Sequence, residues 1–84
     1  MKLFEHLFLL ERLDQLIRLK ATGSPSELAN RLGLSRRQTL RVLRQLREEG
    51  FPIEFDRDRQ SYIYTEPVSL RFEVLVGTEY LIRG

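Results

Sequence analysis

Cysteine is absent from this chain, so neither a disulfide framework nor a thiolate metal site is open to it. The single histidine, His6, stands in the apolar front of the sequence and is expected to be a partly buried structural side chain. Without a second histidine, zinc sites and Cys-His or Ser-His-Asp catalysis lack their parts. The glycines, Gly23, Gly33, Gly50, Gly77 and Gly84, are too scattered for a phosphate loop. Asp56-Arg57-Asp58-Arg59-Gln60 begins like a calcium loop, but Ser61 replaces the required glycine and Pro67 the bidentate glutamate. These absences argue against an enzyme, and no cofactor, metal or small-molecule ligand is expected.

Long apolar runs are missing as well. Nothing approaches the roughly 18 uninterrupted apolar residues of a membrane span. The first ten residues start like a signal peptide, but Glu5 and His6 interrupt them and no small-residue cleavage site follows. A cytoplasmic protein is the expectation. With 42% hydrophobic and 31% charged residues the chain falls in the globular range, and its 84 residues hold one domain with a modest core. The expected division is a folded unit over 1–67 and a C-terminal strand or tail over 68–84.

The charge is more informative in its distribution than in its net value of +2. Between Leu28 and Arg47 stand Arg31, Arg36, Arg37, Arg41, Arg44 and Arg47, with no Asp or Glu among them. The acidic residues flank this block: Glu5, Glu11, Asp14 and Glu27 before it, Glu48, Glu49, Glu54, Asp56 and Asp58 after it. A local block of one sign points to an anionic partner, nucleic acid first, against the plainer alternative of a solvated helix face. Twelve arginines against two lysines add a weaker hint, because guanidinium matches phosphate and guanine bidentately.

The spacing predicts three helices and then strands. Leu3, Leu7, Leu10, Leu13, Leu16 and Ile17 recur three and four apart, the stripe of an amphipathic helix. Phe4, Phe8 and Leu9 widen that stripe, and Gly23 is the expected left-handed stop. Ser24-Pro25-Ser26-Glu27 marks a second helix start with a capping box, and Gly33 ends that helix. Ser35-Arg36-Arg37-Gln38 repeats the pattern and opens a third helix expected to reach Glu49, with Gly50 beyond it. After Gly50 the period changes to alternation: strands are predicted over 51–55 and 61–65 around a polar turn, and another over Val68 to Val76. Gly77-Thr78 turns the chain into a last segment, Glu79 to Ile82.

Two helices joined by Gly33-Leu34-Ser35 and followed by a hairpin make an α+β chain laid out as a winged helix-turn-helix: a three-helix core, a β-hairpin wing and an extra C-terminal strand. At about 100° per residue, Thr39, Leu40, Leu43 and Leu46 of the third helix share the buried face. Arg37, Gln38, Arg41, Arg44, Gln45 and Glu48 fall opposite. Arg and Gln are the side chains that bond guanine and adenine edges bidentately, and an α-helix fits the major groove of B-DNA. Arg37, Gln38 and Arg41, nearest the helix start, are the expected base contacts. Arg36 and Arg44 suit phosphates, and Ser35 caps the helix where exposed amides suit another. Arg57 and Arg59, in the hairpin turn, suit the DNA backbone or minor groove, with Asp56 and Asp58 partly cancelling them.

Residues Glu11 to about Pro67 resemble the winged-helix DNA-binding heads of DeoR-like and WYL-containing bacterial regulators, and more distantly that of the biotin repressor. The run from Ser26 through Gly33-Leu34-Ser35 to Thr39 carries the resemblance, with Arg41, Leu43 and Leu46, then Gly50 to Asp56 and Ser61-Tyr62. It implies that Ser35 to Arg44 meets the major groove. Those regulators usually carry an effector domain after the wing, where about seventeen residues stand here (68–84), so an attached sensor is not expected. Val42 stands where many DeoR-like heads have an acidic residue.

The expectation is therefore a bacterial transcriptional regulator binding double-stranded DNA sequence-specifically. A homodimer is expected, through Leu3-Leu10, Val68-Val76 or both, because a lone small head reads few base pairs. The alternatives are a winged-helix module that docks on another protein, and an architectural DNA-binding protein with little sequence preference.

Overall fold

A computed structural model describes residues 3–69, 75–76 and 79–80. In chain order the elements are α1 (Leu3–Arg18), α2 (Pro25–Leu32), α3 (Arg36–Glu48), β1 (Ile53–Asp56), β2 (Ser61–Tyr64), β3 (Leu75–Val76) and β4 (Glu79–Tyr80). The described chain is thus α+β: three helices, and an antiparallel sheet of β1 and β2 with Ile53 opposite Tyr64 and Asp56 opposite Ser61.

The core takes Leu13 and Ile17 from α1, Leu28 from α2, Leu43 from α3, Ile53 from β1 and Tyr62 from β2. On α1 the buried row is Leu9, Leu13 and Ile17, one turn apart. Leu9 therefore belongs to the core and not to the surplus apolar surface. Leu7, Leu10 and Leu16 are only half-buried, and His6 is exposed, contrary to its expected partial burial. The row turns inward because α1 packs through its second half, where Leu13 and Ile17 meet the other elements.

Each helix boundary has a local cause. Helix α1 stops at Arg18, and its left-handed residue is Lys20 (φ 55), not Gly23. The Lys20 and Ala21 amides donate back to the Ile17 and Leu16 carbonyls, closing the last turn before Gly23 is reached. Gly23 (φ 71) serves the next boundary instead, where a Cβ would lie 2.9 Å from Cβ of Glu27. At Ser24 and Ser35 the expected capping boxes form: each serine oxygen accepts from the amide three residues on, and the Glu27 or Gln38 side chain accepts from the serine amide. Helix α3 ends at Glu48, one residue short of expectation, and Glu49 caps it.

The strands are shorter than the alternation predicted. The Phe51 amide closes α3 by donating to the Leu46 carbonyl, and Pro52 has no amide to offer a ladder, so β1 begins at Ile53. Val68 and Ser69 have no regular structure, and residues 70–74 of the expected Val68–Val76 strand lie outside the described residues. What forms is a two-residue β3, paired antiparallel with β4 through Leu75 opposite Tyr80 and Val76 opposite Glu79, in a sheet separate from β1–β2.

Two polar links tie the sheet to α1. Thr22 and Ser61, both fully buried, hydrogen-bond the α1–α2 loop to the start of β2. Tyr64 donates its hydroxyl to Asp14 at 2.7 Å, and Arg18 pairs with the same carboxylate at 2.9 Å while lying over the Tyr64 ring. Burial, and then the bond to Asp14, push the Tyr64 hydroxyl well above the ordinary phenol range. Phe55 packs edge-to-face on Tyr62 with ring centres 5.0 Å apart, which completes the sheet's inner face. The hairpin is thereby held against the helices at both strands.

Candidate nucleic-acid interface

The orientation of α3 is set from both of its sides. Gly33 in the left-handed conformation (φ 71) turns the chain out of α2, Leu34 folds half-inward, and Ser35 caps α3. Thr39 donates its hydroxyl to the Ser35 carbonyl at 2.9 Å, and Thr39 and Leu43 are fully buried. Leu40, Val42 and Leu46 pack at the margins of the core. With its inner face fixed in this way, α3 directs Arg37, Gln38, Arg41, Arg44, Gln45 and Glu48 outward, and all are exposed. Arg36 is exposed beside them, and the half-buried Leu40 lines an open depression together with Arg36, Arg37, Arg41 and Arg44.

The arginines of the acid-free block divide by what they bond. Arg31 donates to the Ala21 carbonyl at 2.7 Å and so fastens α2 to the loop after α1. Arg47 donates to the Ile53 carbonyl at 2.8 Å and lies over the Tyr62 ring, which fastens α3 to β1. Both are structural. Among the described residues Arg36, Arg37, Arg41 and Arg44 have neither a hydrogen bond nor an ion pair within the chain. Arg37 and Arg41 stand at i,i+4 and Arg41 and Arg44 at i,i+3, so these neighbouring guanidinium groups repel each other with no compensating acid among the described residues.

Gln38 is placed differently from its neighbours. Its side-chain oxygen accepts from the Ser35 amide at 3.0 Å, which commits the carboxamide to the helix start. Ser35 is committed too, accepting from the Gln38 amide at 3.0 Å. The amides of Arg36 and Arg37, in the first turn, have no acceptor among the described residues. Gln45 is exposed about 10 Å further along the axis, at about 1.5 Å of rise per residue.

At the hairpin tip, Asp56 Oδ1 accepts from the amides of Asp58 and Arg59, and Gln60 takes the left-handed conformation (φ 52). This use of Asp56 is a turn bond. Arg59 also pairs with Asp56 at 3.6 Å, so part of its charge is compensated, whereas Arg57 is exposed without such a partner among the described residues. Thus Arg36 to Gln45 share one helix capped by Ser35, and Arg57 and Arg59 stand on a separate turn.

Residues outside the predicted set also shape this surface. Arg47 and Thr39 fix how α3 sits, and the Thr22–Ser61 bond fixes the loop from which α2 departs. Asp14 and Arg18 were readable as an i,i+4 pair. Their link to Tyr64 was not. Among the described residues no three His, Asp or Glu side chains converge as for a metal ion, and no helix is long and apolar enough to cross a membrane. No family model, curated protein or solved structure matches the chain.

Proposed function

We propose that this protein is a winged helix-turn-helix DNA-binding protein, a small bacterial transcriptional regulator of the DeoR-like and WYL-containing type that works in the cytoplasm without a catalytic activity. Helix α3 enters the major groove of double-stranded DNA. Arg37 and Arg41 face base edges, and Arg36 and Arg44 meet phosphates. The β1–β2 hairpin is the wing, reaching the backbone with Arg57 and, more weakly, Arg59. The observation that carries this reading is the division of the arginines. Two are tied to backbone carbonyls of other elements, while four stand outward without a partner among the described residues, on a helix anchored along its opposite side. Uncompensated guanidinium groups carried on a helix of fixed orientation are suited to a polyanion of fixed geometry.

A single copy covers few base pairs, and pairing two copies supplies affinity and a palindromic site. The proposed dimer surface is the front of α1. Phe8 is 67% exposed there, and together with Leu9, Leu32 and Leu34 it lines an open groove.

The test is a fluorescence-anisotropy titration with mixed-sequence duplex DNA over a range of salt. Binding should weaken steeply with log salt, with a slope of about 0.9 per phosphate contacted. Arg37→Ala/Arg41→Ala should abolish it while the protein stays folded. Folded protein that binds no duplex at low salt would sink the proposal and redirect the arginine face to a protein partner.

A further inference from the structure

Within the proposed DNA-binding role, on which this inference rests, we infer that the site read by α3 is defined by guanines, and that Gln38 holds the helix start without reading adenine. The sequence offers Arg37, Gln38 and Arg41 as equivalent readers. Folding makes them unequal.

An adenine reader must bring both ends of its carboxamide to the base edge: the oxygen accepts from adenine N6 and the nitrogen donates to N7. In Gln38 the oxygen already accepts from the Ser35 amide at 3.0 Å, closing the capping box that starts α3. The oxygen has a second lone pair, so the limit is one of reach: the bond to Ser35 keeps the carboxamide against its own helix start, and extending it to a base edge would give that bond up. The gain from one bidentate base contact would be set against the loss of a cap. The Gln45 carboxamide has no partner among the described residues, but it lies two turns beyond Gln38, away from the N-terminal end that meets base edges.

Arg37 and Arg41 face no such competition. Both are exposed, and neither has a hydrogen bond or ion pair among the described residues. A guanidinium meets guanine O6 and N7 with two parallel N–H donors, and guanine alone shows two acceptors side by side in the major groove. The rise between Arg37 and Arg41 is about 6 Å along the helix axis, close to two nucleotide steps of about 3.4 Å. The expected element in each half-site is therefore a pair of guanines separated by at most one base pair.

Selection of bound duplexes from a randomised pool, followed by base-analogue substitution in the selected duplex, tests this. The selected sites should carry the guanine pair. Replacing those guanines with 7-deazaguanine removes N7 and should weaken binding, towards the roughly 5- to 160-fold loss of a full bidentate contact. Inosine keeps O6 and N7 and lacks only the minor-groove amine, so it should be tolerated. Arg37→Lys/Arg41→Lys keeps the charge and removes the fork, so it should retain salt-dependent binding and lose the guanine preference. Gln38→Glu keeps an acceptor for the Ser35 amide and should leave the base preference unchanged. Salt-dependent binding with no guanine enrichment, or 7-deazaguanine bound as well as guanine, overturns the inference and leaves the DNA-binding role standing. A changed preference in Gln38→Glu overturns the assignment of Gln38 to the cap. Failure of every duplex to bind removes the role itself, and the inference with it.

Discussion

Thr22 and Ser61 lie 39 residues apart and satisfy each other inside the protein: the Thr22 amide donates to Ser61 Oγ at 3.1 Å, and the two hydroxyl oxygens lie 3.0 Å apart. The Tyr62 amide donates in turn to Thr22 Oγ1 at 2.7 Å. Backbone groups of the α1–α2 loop and of β2 are therefore partnered by side chains from the opposite element. Such a link fixes the hairpin against the helices more sharply than apolar packing does, because a buried amide left without an acceptor is penalised.

Ser61→Ala removes the acceptor for the Thr22 amide and should destabilise the fold by about 1–3 kcal/mol. Thr22→Val strands the Tyr62 amide and should cost a similar amount. Chemical denaturation with an unchanged slope but a lowered midpoint is the expected result, and wild-type stability in both variants would show that the bonds contribute nothing net.

Lys20 and Gly23 share a left-handed backbone but should respond oppositely to substitution. Lys20 (φ 55) bears a Cβ in that conformation, so Lys20→Gly should stabilise by up to about 1 kcal/mol. Gly23→Ala adds a Cβ at φ 71 and places it 2.9 Å from Cβ of Glu27, so it should destabilise by more than about 1 kcal/mol. Thermal unfolding of both variants checks the pair of signs.

The arginines should separate by function. Arg37→Ala/Arg41→Ala is expected to abolish duplex binding and leave stability unchanged or slightly higher, since it relieves like-charge repulsion. Arg47→Ala breaks the bond to the Ile53 carbonyl and the contact with the Tyr62 ring, and should lower stability by about 1 kcal/mol. Loss of stability in the first variant, or none in the second, would contradict the division drawn above.

Stability should fall at both ends of the pH scale. Burial raises the Tyr64 and Tyr62 hydroxyls above the ordinary phenol range. A phenol raised in the folded state keeps its contribution below its unfolded pKa near 10 and loses it as pH climbs beyond. The Ser24 amide and hydroxyl hold the Glu27 carboxyl below its usual range, so that contribution is complete above the unfolded carboxyl pKa and is lost in acid. Denaturation midpoints across pH, with Tyr64→Phe removing part of the alkaline loss, provide the test.

Phe8→Asp should prevent self-association without loss of folding, because Phe8 is 67% exposed and outside the core. Light scattering at tens of micromolar, with and without DNA, decides it: a wild-type protein that stays monomeric under both conditions would remove the proposed dimer.

Much of the candidate surface was legible in the sequence, for a local reason. Capping boxes at Ser24 and Ser35, the turn through Gly33 and the outward stripe of α3 depend on residues within one or two turns of each other, so their spacing carries them. The same locality explains where the expectations slipped. Pro52 and the Phe51 amide shortened β1 because a strand's start depends on which amides the preceding helix has claimed. Lys20 took the left-handed position because α1 closes where its core row ends, at Ile17.

The sequence by itself determined that α3 would form, where it would start, and that its outer face would hold arginine and glutamine without an acid before Glu48. Only the tertiary structure decided which of those groups remain available. Arg31 and Arg47 are tied to carbonyls of other elements, Ala21 and Ile53, whose approach no residue spacing records. Tyr64 meets Asp14, and Thr22 meets Ser61, across separations of 50 and 39 residues. Periodicity reports the face of a helix; partners brought from distant elements set which side chains on it are already spent.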